Sequence, residues 1–158
     1  MTVHSLDPGT LGTDDDPLDL DTRSPRGTYA LVFSVPATTI DVGALGACAF
    51  SAGGYVYVGS AFGAGGLRRV LRHRRVAHGE HDARHWHVDY LGGHPDVELS
   101  RVVCVTGDDV ECEVASALGS VAAAGFGSSD CDCEAHLSQF QDVETATSLV
   151  ESAFRSKM

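Results

Sequence analysis

A chain of 158 residues, 43% of them apolar, can bury the core of one compact domain and is too short for two. Its formal net charge is −11 and Lys157 is the only lysine beside ten arginines; abundant Asp and Glu with almost no Lys predicts a cytoplasm of high salt, where acidic surfaces stay hydrated. No apolar run approaches the roughly 20 residues that span a bilayer, and the start MTVHSLDPGT has neither a basic nor a hydrophobic stretch, so the protein is expected to be soluble and cytoplasmic, with no membrane partner.

Residues 1–25 mix Pro, Gly, Thr and Asp, including Asp14, Asp15, Asp16 and Asp19, without sustained periodicity, and predict a disordered acidic tail. Gly27 opens GTYALVFSVP, in which Tyr29, Leu31, Phe33 and Val35 alternate with smaller residues until Pro36, the pattern of a strand. A short strand is expected around Ile40 to Val42, and the turn at Gly53-Gly54 leads into YVYVGSA, a β-rich run able to pair back onto the first strand. After the loop FGAGG, the stretch LRRVLRHRRVAHG places Leu67, Val70 and Leu71 on one helical face, with Arg68, Arg69, Arg72 and His73 flanking or opposing it. Residues 79–98 are polar and His-rich as far as HVDYLGG, and VELSRVVCVTG supplies a further strand. Asp108 and Asp109 are placed to cap a helix through VECEVASALGSVAAAG, whose apolar positions 110, 114, 117, 118 and 121 fit the helical period. A Cys-rich loop, FGSSDCDCEAHL, precedes an amphipathic helix that uses Val143, Leu149, Val150 and Phe154.

These elements predict an α+β fold, a small mixed or antiparallel three-stranded sheet flanked by helices, with residues 26–140 as the domain and 141–158 as a C-terminal helix. Five cysteines are an odd number for a disulfide framework, and Cys48, Cys104 and Cys112 are expected to be small buried apolar residues. At molar salt the Debye length is only about 3 Å, so an anionic ligand must be held by direct contact rather than long-range steering.

The order Gly27-Thr28-Tyr29, then Tyr57-Val58-Gly59, then Arg69 and His73 on the following helix resembles the GIY-YIG nuclease pattern. With YVYVGSA, RHWHVDYL, ECEVA and SSDCDCEAHL, the chain from about residue 26 to 140 resembles a little-characterised archaeal and bacterial branch of that superfamily, some members of which are fused to endonuclease III. With the composition, this resemblance implies a halophilic archaeal source. It also implies a metal-dependent endonuclease that cuts DNA in repair or recombination, with an endonuclease III-type enzyme as a further partner. In that scheme Tyr29 and Tyr57 orient or deprotonate the attacking water, Arg69 contacts the scissile phosphate, and His73, one turn further on, assists proton transfer. Glu111, with Glu113 as second choice, would hold Mg²⁺ or Mn²⁺. Arg68, Arg72, Arg74 and Arg75 would complete a nucleic-acid footprint.

Plainer chemistry competes with each assignment. Strand tyrosines commonly pack, and an arginine-rich helix is commonly a solvated face. A binding module without catalysis is therefore one alternative. His85, His87 and Asp89, with the two histidines on one face of a strand, form with Cys131, Cys133 and His136 a second constellation of borderline ligands, so a zinc-stabilised interaction domain is another.

Overall fold

The computed structural model describes residues 3–20, 22–43, 46–79, 87–118 and 137–156, the side chain of His87 excepted. The apolar runs of the sequence become β2 (Gly27–Val35), β5 (Gly53–Ala61) and β6 (Glu98–Thr106), and with β1 (Val3–Leu6) and β7 (Leu137–Phe140) they pair antiparallel in the order β1-β6-β2-β5-β7. A separate hairpin joins β3 (Thr38–Asp41) to β4 (Ala47–Phe50). Among the described residues, α1 (Arg69–Ala77), α3 (Glu111–Leu118) and α4 (Val143–Ser156) follow the helical stretches of the sequence, and α2 (His87–Gly92) forms where a strand is expected.

The class is α+β, but among the described residues the main sheet has five strands where three are predicted. The two added strands are four-residue edge strands, too short to carry a periodic signal; they form because β6 and β5 offer them open hydrogen-bonding edges. Both faces of the sheet are covered, so the central strands are buried along nearly their whole length. Tyr29, Leu31, Phe33, Tyr55 and Tyr57 point to one face, against Val70 and Leu71 of α1 and Val88 and Leu91 of α2. Ala30, Val32, Val56, Val58, Val103 and Val105 point to the other, against Val114 of α3 and Ala146, Val150 and Phe154 of α4. Leu149, expected on the buried stripe of the last helix, is exposed, since the positions that face the sheet are 146, 150, 153 and 154.

The N-terminal segment departs furthest from expectation. Instead of a solvated tail, it contributes β1, a 3-10 turn (Pro8–Thr10) and the fully buried Leu11 and Leu20. Asp16, read from composition as part of a solvated acidic run, is buried and accepts backbone N–H groups of Gly12, Leu18 and Leu20 at 2.9, 2.9 and 3.1 Å. A carboxylate satisfying three backbone donors holds together a loop that has no regular ladder of its own. Among the described residues no helix is long and apolar enough to cross a membrane.

Candidate active site

Gly27 at the start of β2 pairs with Ala61 at the end of β5 and with Thr106 at the end of β6, so the connections to α1 and α3 leave from the same end of the sheet. β5 continues through a 3-10 turn (Gly66–Arg68) into α1. Gly66 makes this turn possible: its φ is +50°, and a side chain there would press on the carbonyls of Ser24 and Pro25. The connection to α3 is pinned by Thr28, whose hydroxyl donates to the Asp108 carbonyl at 2.8 Å and accepts the Val110 N–H at 3.0 Å. The residue beside Tyr29 thus fastens the loop that presents Glu111.

Tyr29 stands opposite Gly59 in the β2–β5 ladder, and its ring lies over the glycine; a Cβ at 59 would sit 2.5 Å from the phenol oxygen. The close approach lets the Tyr29 hydroxyl reach Nε2 of His73 at 2.9 Å, with the two ring centroids 5.4 Å apart. Tyr57 packs its ring edge against the same imidazole, centroids 6.5 Å apart. On the far side of His73, Nδ1 faces Oδ1 of Asp89 at 4.0 Å. Asp89 is itself buried and takes two parallel bonds from Arg72, both 2.8 Å.

Burial pushes the Tyr29 phenol well above its ordinary pKa, although the Arg69 guanidinium, by its charge and a hydrogen bond, works in the opposite direction. Burial likewise lowers His73 to about 3, against the pull of the Asp89 carboxylate. Near neutral pH the pair is therefore a neutral phenol bonded to a neutral imidazole.

Arg69 connects this buried pair to an open cleft. Its guanidinium donates to the Ser60 carbonyl at 2.7 Å and lines a cavity of about 380 Å³ with Phe62 and Gly63 on one wall and Asp109, Glu111 and Glu113 on the other. Glu111 is buried at the base of α3, whereas Asp109 and Glu113 are exposed. Three carboxylates against one guanidinium is a poor place for a phosphate alone, so a hard cation would be needed beside it, and the carboxylate donors suit one. Among the described residues no three His, Cys, Asp or Glu side chains converge as a metal-holding group. An ion placed there would be held by Glu111 together with water and ligand oxygens.

The fold thus brings Tyr29, Tyr57, Arg69, His73 and Glu111 to one end of the sheet, but not as a row lining an open surface. Tyr29, Tyr57 and His73 are only 2, 6 and 5% exposed. The expected arginine footprint also divides. Arg68 and Arg75 are exposed; Arg72 is engaged by Asp89, and Arg74 donates to the Leu11 carbonyl. A nine-residue helix turning 100° per residue cannot present its four arginines, Arg69, Arg72, Arg74 and Arg75, to one side.

Asp89 belongs to this site and lies on a helix, α2, rather than on a strand: Val88 and Leu91, three apart, both face the core. Of the other residues in the expected second constellation, His85, Cys131, Cys133 and His136 lie outside the described residues, as does the side chain of His87. Cys104 is buried and free, its thiol pushed up to about 12 by burial, and Cys48 is free and half-buried. Cys112 is disulfide-bonded and half-buried on the cleft side of α3, a correction to its expected place as a free core residue; the core face of that helix is Val114 and Ala115. Thr28 and Ser60 lie within the motifs, which assign them no role, because each acts through a hydrogen bond to a distant segment or a backbone carbonyl.

A family model described as "Domain of unknown function DUF123" matches residues 28–158, and the chain belongs to that family. No curated protein and no solved structure matches it.

Proposed function

We propose that this member of the DUF123 family is a metal-dependent endonuclease of the GIY-YIG kind, hydrolysing DNA phosphodiester bonds in repair or recombination. The observation that carries the reading is the meeting of Arg69 and Glu111, from helices on opposite faces of the sheet, across one cleft, with the Tyr29–His73 pair directly behind Arg69. Arg69 offers a planar, permanently charged fork to the phosphate oxygens, where charge builds up in the transition state. Glu111 would hold Mg²⁺ or Mn²⁺, which when bound supplies charge neutralisation at the phosphate and the leaving oxygen. As the guanidinium turns to the phosphate, the phenol oxygen of Tyr29 opens to the cleft and can take a proton from the attacking water. With its pKa raised, Tyr29 does not rest as phenolate. It accepts that proton only as its own passes to Nε2 of His73.

The burial of both tyrosines favours a second reading, a module in which Arg69, Arg68 and Arg75 hold DNA without cutting it for a partner such as an endonuclease III-type enzyme. The two separate in one experiment: labelled duplex, flap, junction and abasic DNAs in molar KCl with Mg²⁺ or Mn²⁺. Cleavage by the wild type, reduced about 10²-fold or more in Arg69→Ala and Glu111→Gln, supports the nuclease. Binding without cleavage under every ion, weakened by Arg69→Ala alone, supports the module.

A further inference from the structure

We propose that Asp89, clamped by Arg72, is a positioning residue that holds His73 in the tautomer protonated at Nδ1, so that Nε2 is free to accept the Tyr29 proton. The catalytic meaning of this arrangement rests on the nuclease reading above; the tautomer does not.

The argument starts from the phenol. Arg69 has only donors, so its contact with Tyr29 occupies a lone pair of the phenol oxygen and leaves the hydroxyl hydrogen in need of an acceptor. Nε2 of His73 lies 2.9 Å away in the buried interior and supplies it. A neutral imidazole that accepts at Nε2 must carry its hydrogen on Nδ1, the nitrogen that faces the Asp89 carboxylate at 4.0 Å. The carboxylate favours that hydrogen electrostatically. It cannot rotate away, because both its oxygens are fixed at 2.8 Å by the fork of Arg72 and it is 1% exposed.

Three side chains from β2, α1 and α2 thus form a line in which phenol, imidazole and carboxylate follow one another, the logic of a nucleophile–histidine–aspartate triad with a tyrosine at the front. During attack, water forms its bond to phosphorus and loses a proton to the Tyr29 oxygen, while the Tyr29 hydrogen moves to Nε2 and the bond from phosphorus to the leaving oxygen breaks. The leaving oxygen takes a proton from solvent, and the imidazolium, facing Asp89, returns its own to solvent afterwards. Asp89 itself stays ionised throughout.

The test is long-range ¹H–¹⁵N NMR of the histidine rings in the full chain, with the His73 signals assigned by their loss in His73→Gln. The wild type is expected to show a protonated Nδ1 and an unprotonated Nε2 at neutral pH. Tyr29→Phe, which removes the partner at Nε2, should keep that tautomer, whereas Asp89→Asn should shift population toward protonation at Nε2. Protonation at Nε2 in the wild type, or a tautomer that follows Tyr29 rather than Asp89, overturns the proposal. Should Asp89→Asn fail to fold, the Tyr29→Phe spectrum still decides. In a cleavage assay Asp89→Asn should lower kcat about 10²-fold or more with KM little changed. A fall in kcat with an unchanged tautomer reduces Asp89 to a structural anchor and also overturns the proposal. If the wild type cleaves nothing, the nuclease reading fails while the spectra still decide the tautomer.

Discussion

Replacing Gly59 by alanine tests the packing on which the buried site depends. The new Cβ would stand 2.5 Å from the Tyr29 phenol oxygen, short of ordinary contact by roughly 1 Å. The ring tip has to move by about that distance, and the 2.9 Å bond to His73 does not survive the movement. Overpacking of this kind costs about 1–3 kcal/mol. Leaving the phenol and the imidazole without each other costs a further ~1–3 kcal/mol. Against this, alanine restricts the unfolded chain and returns at most about 1 kcal/mol. The expected net loss is therefore ~1–5 kcal/mol, a large fraction of the ~5–15 kcal/mol that holds a domain of this size together. Urea unfolding followed by circular dichroism reads it as a lower midpoint at unchanged slope. The same change in a Tyr29→Ala background meets no ring and should be close to neutral, so the double-mutant cycle should show a coupling of about 1 kcal/mol or more. A loss under about 0.5 kcal/mol in Gly59→Ala, or an equal loss in both backgrounds, would refute the steric argument.

Thr28→Val keeps the shape of the side chain but strands the Val110 N–H and the Asp108 carbonyl; it should cost about 1–3 kcal/mol and speed hydrogen exchange at Val110, and unchanged exchange there would show that the loop is held by other contacts. The pH dependence follows from His73. Folded, the ring stays neutral down to about 3, whereas unfolded it takes up a proton below about 6.5. Between those values the unfolded state holds more protons, so stability falls as pH falls. Between pH 7.5 and 5.5 the wild type should lose about 1.4 kcal/mol more than His73→Gln, and equal losses would contradict a buried neutral ring. Asp16→Ala should destabilise by roughly 3 kcal/mol through three stranded N–H groups, while Asp14→Ala, at an exposed position, should stay within about 0.5 kcal/mol. Equal effects at the two positions would return the N-terminal segment to the status of a tail.

What the sequence determined by itself is the set of elements whose pattern is local. Period-two alternation marks β2 and β5, the apolar positions at 70 and 71 mark α1, and those at 110 and 114 mark α3. Each of these arises from side chains close together in the chain. The motif order Tyr29, Tyr57, Arg69, His73 and Glu111 was legible for the same reason, since spacing survives without a fold. The tertiary structure decided everything that needs a distant partner. β1 and β7 are strands because β6 and β5 have open edges, and Leu11 and Leu20 are core because a sheet face lies beneath them. Asp89 joins the Tyr29–His73 pair, and Arg72 is held half-buried, because α2 packs beside α1 and places a carboxylate and a guanidinium in contact. A carboxylate in a sequence looks the same whether water or an arginine satisfies it. Only burial distinguishes the two, because desolvating a charge demands a partner that the chain supplies from elsewhere in the fold.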